Sequence, residues 1–410
     1  MASQSKHRSA ITDKEEVKRM KRKLYAVMAI SLFGVLAGGP AHAGFLFGEE
    51  TKGVTITNNE SDLNIRVRLQ PRFDFGDQVK NTSVYESQGD IYLRRIRLEL
   101  GGHILTKTIA YNLTLTGDKW DKAGNANAIG VQYAFVKWLA DDALVFTVGK
   151  EKLPYSRVSL TSSSKQLIVE RPISTEAAKK LFGATDAYYQ PKFSVGGRLA
   201  EGLFAYEVAV ADGWQNGETI QTTGARKVLT SGPLVVGRVE LSPPGWTEKG
   251  KSDAYLGKGQ HLTIAANAAS QSGIEYQTVG FEEDRTLWGF DVSGHYNGFT
   301  AQFEYNAWEI ESTDPAIALK KPAGWYAQAG YFIEELSLEP VARYEVYDHD
   351  SESATDKEQK ITTVGVNWYG KGHSFKVGAN WVHEKFDTAI KEVTNEDSKD
   401  LYQVQAQVYF

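Results

Sequence analysis

The stretch NIRVRLQPRFDF, Asn64 to Phe75, changes chemistry at every residue. Ile65, Val67, Leu69, Phe73 and Phe75 hold one parity, and Arg66, Arg68 and Arg72 hold the other. In extended chain, residues two apart share a face, so the stretch reads as a strand with one apolar face and one face carrying three cations. The formal net charge is −5, so bulk composition gives no reason to line up arginines. They face water, either on an ordinary solvated surface or inside a water-filled lumen.

The same period of two recurs along the chain. Sixteen strand candidates are read at about 63–75, 91–103, 108–116, 128–139, 143–150, 186–199, 203–211, 234–242, 259–269, 285–296, 299–310, 323–333, 336–347, 360–369, 373–386 and 399–410. In FTAQFEYNAWE, for example, Phe299, Ala301, Phe303, Tyr305 and Ala307 oppose Gln302, Glu304 and Asn306. The connections alternate in length. LADDAL, LAEGLF, Asn297-Gly298, EEL and YGKGH are short, whereas GDQVKNTSVYESQGD, GDKWDKAGNANA, ADGWQNGETIQTTGARK and DHDSESATDKEQK are long. A soluble sandwich has no reason to sort its loops by parity, but a transmembrane β-barrel has short turns on one rim and long loops on the other. One connection, SPPGWTEKGKSDAYLGKG, is longer than its rim should allow.

Composition agrees. The 410 residues include 20 Tyr, 18 Phe and 9 Trp, only 11 Pro and no Cys, which favours strands and excludes disulfides and thiolate metal sites. Mean hydropathy is −0.38, unlike a helical membrane protein. Near the N-terminus, Lys21, Arg22 and Lys23 precede an apolar stretch from Leu24 to Leu36 and the small-residue site Ala41-His42-Ala43. That is the build of a secretory signal, too short to span a bilayer comfortably. Residues 1–43 are therefore expected to be a signal peptide with an N-terminal extension, 44–62 a short N-terminal segment, and 63–410 the barrel. Removing 8 basic and 3 acidic residues of 1–43 from totals of 46 and 51 leaves 38 and 48, a net of −10.

The last strand, LYQVQAQVYF, sets Tyr402, Val404, Ala406, Val408 and Phe410 against Gln403, Gln405 and Gln407. A final strand ending in Phe410 resembles the signal read by the outer-membrane assembly machinery. A wider resemblance begins at Val145. The pair Val148-Gly149, the run Lys152-Leu153-Pro154-Tyr155-Ser156, the run Thr161-Ser162-Ser163 with Lys165, and the pair Glu170-Arg171 are similar to the phosphate-selective porin O and P family. RLQPRFDF and YLRRIRLEL resemble its first two strands. The resemblance implies an all-β, 16-stranded antiparallel transmembrane β-barrel in the outer membrane of a Gram-negative bacterium. It further implies a homotrimer with loop 3 folded inward, and Arg and Lys lining a path for small, phosphate-like anions.

The charges can be set against that expectation. From Lys150 to Arg171 there are five cations (Lys150, Lys152, Arg157, Lys165, Arg171) and two anions, whereas Asp348 to Gln359 carries five acids and one lysine. Arg95 and Arg97 share a parity in YLRRIRLEL, so Arg66, Arg68, Arg72, Arg95 and Arg97 form a candidate lumenal patch beside that loop. Arg94 falls on the apolar parity and is expected to snorkel at an interface. The bland alternative is a weakly selective general pore whose arginines are neutralised by Asp74, Glu99 and Glu304. Asp212–Thr230 supports it, offering only Arg226 and Lys227 against Asp212 and Glu218. A barrel enzyme or adhesin would need a nucleophile with histidine, or a plugged lumen, and neither is visible in the sequence. No metal-ligand spacing, cofactor motif or nucleic-acid surface is found; the partners expected are anions, outer-membrane lipid and lipopolysaccharide.

Overall fold

The computed structural model describes residues 53–410, apart from 81–82, 179–180, 184–188, 221–225, 249, 277–280, 315–319 and 353–357. The leader expected over 1–43 lies outside the described residues.

Among the described residues, nineteen strands form one sheet. They are β1 Val54–Thr57, β2 Asp62–Lys80, β3 Ser83–Ile104, β4 Ile109–Trp120, β5 Gly130–Asp141, β6 Leu144–Lys152, β7 Tyr189–Leu199, β8 Phe204–Ala211, β9 Thr219–Ile220 and β10 Arg226–Thr230. There follow β11 Leu234–Leu241, β12 His261–Tyr276, β13 Glu282–Tyr296, β14 Phe299–Ser312, β15 Ala323–Tyr331, β16 Leu338–Asp348, β17 Glu358–Lys371, β18 Phe375–Lys385 and β19 Ser398–Tyr409. β2–β8 and β11–β19 pair antiparallel in chain order, β8 with β11, and β19 returns to β2. The ring is a closed 16-stranded antiparallel barrel. β1 is an additional strand against β2, and β9 and β10 form a small hairpin inside the connection from β8 to β11. The sixteen strands are those the alternation marks. The added short strands carry no alternation long enough to read.

The faces are inverted relative to a soluble sheet. Gln403, Gln405 and Gln407 are buried, while Tyr402 is exposed. Val148, Phe193, Val208, Val235, Ile264 and Trp288 are exposed on the outside, where Trp138 stacks on Phe146 at 5.3 Å. An apolar exterior around a polar interior is the arrangement lipid demands, and closure leaves no unpaired edge in hydrocarbon. β2 and β3, of 19 and 22 residues, exceed the roughly 9–11 needed to cross a bilayer. Between β13 and β14 the two-residue turn has Asn297 at φ 47° and Gly298 at φ 80°, the left-handed pair of a tight hairpin.

Deleting residues 398–410 removes β19 and strands both neighbouring edges. The heat-modifiable, fast-migrating form on an unheated detergent gel should then disappear; a truncated chain that still ran as the folded form would contradict ring closure.

Candidate anion pathway

The inner wall of β2 and β3 is built almost entirely of guanidinium and carboxylate. Arg66, Arg68, Gln70, Arg72 and Asp74 share the inner parity of β2, and the register sets Arg66 against Glu99 and Arg68 against Arg97. Facing like charges are unfavourable unless acids intervene. Glu99 lies 3.1 Å from Arg66 and 2.9 Å from Arg68, and accepts from Tyr409 Oη at 2.7 Å. Asp74 accepts from Arg72 Nε at 2.5 Å and Tyr92 Oη at 2.8 Å. Asp118 pairs with Arg97. Arg95 donates to Gln70 Oε1 at 3.0 Å.

Arg94 corrects the sequence reading. The register slips by one between Gln70 and Pro71, so β3 carries an extra residue there. That bulge turns both Arg94 and Arg95 inward; Arg94 is buried and does not snorkel. Its Nε and Nη2 donate to Glu170 at 2.6 and 3.0 Å. Period-two counting cannot see a bulge, although two adjacent arginines inside a strand were a signal of one.

Glu170 belongs to the connection from β6 to β7. Besides Arg94 it pairs with Arg72 and lies 3.7 Å from Arg95. Burial opposes its charge, but the Arg94 and Arg72 guanidiniums hold its carboxyl well below the usual carboxylate range. Six arginines therefore meet four carboxylates (Asp74, Glu99, Asp118, Glu170), leaving two positive charges on this wall.

The same connection bonds to inner-face residues of many strands. Ser156 caps the short helix Arg157–Leu160, and its Oγ donates to Glu304 Oε1 on β14 at 2.7 Å. Arg157 N donates to Glu304 Oε2 at 2.8 Å. Glu304 thus anchors this segment and does not neutralise the β2–β3 arginines. Further along, Gln407 donates to Ser164 O at 3.2 Å, Lys376 to Gln166 O at 3.1 Å, Asn367 to Leu167 O at 2.7 Å and Arg343 to Glu170 O at 2.8 Å. Glu345 accepts from Ile173 N at 2.5 Å. A backbone carrying so many unpaired carbonyls outside regular structure needs these partners.

The expected cations divide into groups. Arg72, Arg95 and Arg97 lie with Arg94 around Glu170 and Asp118. Arg66, Arg68, Lys152 and Lys165 line one cavity of about 350 Å³ together with Ser162, Ser163 and the acids Glu99 and Glu151. Arg68 Nη1 donates to Ser162 Oγ and Ser163 Oγ, each at 3.2 Å. Lys152 Nζ donates to Leu160 O at 2.8 Å and Thr161 O at 3.1 Å. Neither Lys152 nor Lys165 has a carboxylate ion-pair partner among the described residues. Arg157 is fully buried against Glu248, and Arg171 donates to Val158 O and Thr161 O, both at 3.1 Å, so these two hold the segment's shape. Lys150 stands apart: opposite Pro191, it shares the outer parity of Val148 and Phe193.

The model for phosphate-selective porin O and P matches residues 65–410. The chain belongs to this family. An uncharacterized protein of Aquifex aeolicus (strain VF5) is 34% identical over 394 residues, covering 90% of this porin and 92% of the relative. Among solved structures, an anion-selective porin from Comamonas acidovorans superposes with a TM-score of 0.62 at 14% identity, over 86% of this chain and 100% of that one. The in-vitro folded OmpT of Vibrio cholerae, in its trimer form, gives 0.56 at 11% identity, over 86% and 100%. At such identities the structural likenesses speak for the fold of the porin.

Glu170→Gln leaves Arg94 and Arg95 buried with less counter-charge. The unfolding free energy in detergent should fall by about 3 kcal/mol, the low end for breaking a buried pair because Glu170 is partly exposed. An unchanged urea midpoint would contradict the assigned role.

Proposed function

We propose that this porin is an outer-membrane channel for the passive diffusion of small anions, with phosphate-like oxyanions as its preferred permeants and no catalytic step. The observation that carries the reading is the cavity where Arg66, Arg68, Lys152 and Lys165 meet serine hydroxyls, with neither lysine ion-paired to a carboxylate among the described residues. The segment from Leu153 to Arg171 acts as the inward-folded constriction of loop 3. Cations in a narrow, low-dielectric passage raise the local anion concentration and replace part of the hydration shell. Guanidinium forks suit the paired oxygens of phosphate, and hydroxyls bond whichever oxygens remain. The Arg72, Arg94, Arg95 and Arg97 group continues the positive wall along β2 and β3. Because Glu99 and Glu151 stay in the cavity, binding is weak enough for release, as conduction requires.

The anion-selective porin from Comamonas acidovorans and the trimer form of OmpT support the same reading of selectivity and assembly. In this account residues 1–43 direct export, Phe410 presents the last strand to the assembly machinery, and the apolar exterior meets lipid and lipopolysaccharide as a homotrimer. One observation favours a second reading, a weakly selective general pore: four carboxylates offset most of the six arginines on the β2–β3 wall.

Planar-bilayer recording separates the two. Millimolar phosphate should reduce chloride current in the wild type, and Arg66→Gln with Lys165→Gln should weaken that block at least tenfold. Chloride current indifferent to phosphate would leave the general pore. Block unchanged in the double variant would remove these two residues from the path.

A further inference from the structure

The connection 242–260, between β11 and β12, has no geometric need for its length. Leu241 pairs with Ile264 across the two strands, so the ends it joins are already neighbours, and elsewhere on the same rim Asn297-Gly298 suffices. The connection enters the lumen. Ser252, Asp253 and Ala254 are buried, and Ala254 packs in one apolar cluster with Leu167, Val341 and Tyr369.

There it meets the segment 153–171 point by point. Arg157, fully buried, pairs with Glu248: Nη2 donates to Glu248 Oε2 at 3.1 Å, to Ser252 O at 3.0 Å and to Tyr255 Oη at 2.9 Å. Thr161 Oγ1 donates to Asp253 Oδ1 at 3.1 Å. Asp253 N and Ala254 N both donate to Lys165 O at 3.1 Å. The connection is itself fixed to the wall. The Tyr255 ring packs against the rings of both His261 and His295, at 4.6 and 4.7 Å; Gln302 donates to Asp253 at 2.9 Å; and Lys251 lies 2.6 Å from Glu240.

We infer that the described residues of 242–260 are a strap inserted from the turn rim that holds the segment 153–171 in the lumen, and that Glu248, acting through Arg157, is a positioning residue for permeation. The inference rests on the channel reading above. Elsewhere the segment is held by the barrel wall, by bonds within itself and by Phe182, against whose ring Tyr155 packs at 5.0 Å; the strap braces it from the turn side. Arg157 cannot reach water, and Glu248 is its ion-pair partner among the described residues, so removing that carboxylate leaves a buried guanidinium short of counter-charge. The carbonyl of Lys165 is held from the same side, so the strap also fixes the backbone that carries a cavity lysine.

The test is Glu248→Gln, with Glu248→Asp as the conservative partner and replacement of 246–257 by Asn-Gly as a second route should the first variant fail to fold. Two readouts are taken on barrels shown to be folded by heat modifiability. In bilayers, Glu248→Gln and the shortened strap should raise single-channel conductance about twofold and increase open-channel noise, with Glu248→Asp close to wild type. Independently of conduction, a nitroxide on Ser163→Cys, the sole thiol in a chain without cysteine, should gain mobility in Glu248→Gln and in the shortened strap. Unchanged label mobility in both would overturn the strap even if the protein conducts. Raised mobility in a protein that carries no current at all would keep the strap and overturn the channel reading.

Discussion

Val67 N donates to Phe410 O at 2.6 Å and Phe410 N donates to Val67 O at 3.0 Å, and with the pairing of β19 to β2 these bonds close the ring. Everything else depends on that closure. An open sheet of this length would leave two rows of unpaired backbone in hydrocarbon, at several kcal/mol for each group. Once the ring is closed, period-two alternation sorts side chains without further instruction. Apolar residues meet lipid, and arginine, glutamine and glutamate share an enclosed volume. The arginines of Asn64–Phe75 are tolerable because that volume is wet and because acids are interleaved among them.

The enclosed volume is shaped from both rims. From one, the connection after β6 brings Glu170 to Arg72 and Arg94, and Ser156 to Glu304. From the other, the connection after β11 brings Glu248 to Arg157. Carboxylates on the connections thereby become counter-ions for buried cations, and carboxylates on strands become anchors for connections. Buried pairs of this kind contribute little net stability against apolar packing but fix one arrangement strongly, because breaking either leaves a stranded charge. A passage needs that property more than it needs stability. In the proposed reading, Lys165 beside Arg66 and Arg68 marks where an anion meets the least competition, and Lys152, which donates to Leu160 O and Thr161 O, adds its charge to the same cavity.

Much of this was legible in sequence, and the failures have physical causes. Strand alternation and loop parity are local signals, so the sixteen barrel strands could be read directly. The position of Arg94 could not, because a bulge shifts parity without changing composition. Glu304 reads as a counter-ion for the arginines of β2 and β3 until the structure sets it across the lumen on Ser156 and Arg157; its partner in space is some 148 residues away in sequence. Lys150 reads as part of a cationic loop, yet it still belongs to β6 and points with Val148. Arg157 and Arg171 look identical to path-lining cations in composition, but one is consumed by Glu248 and the other by backbone carbonyls. The overlong connection 242–260 was visible as an exception to loop parity. Only its contacts with Arg157, Thr161 and Lys165 explain why the exception exists.

The central claim is that the cavity bounded by Arg66, Arg68 and Lys152 holds a positive potential reachable by ions. It is tested most directly by thiol modification at Lys165→Cys, in a chain with no other cysteine. The rates of an anionic and a cationic methanethiosulfonate reagent of similar size are compared with their rates on a free thiol in solution. The account predicts that the anionic-to-cationic rate ratio exceeds the free-thiol ratio by tenfold or more, and that modification blocks current. A ratio below that of the free thiol, showing a negative potential at Lys165, would contradict it.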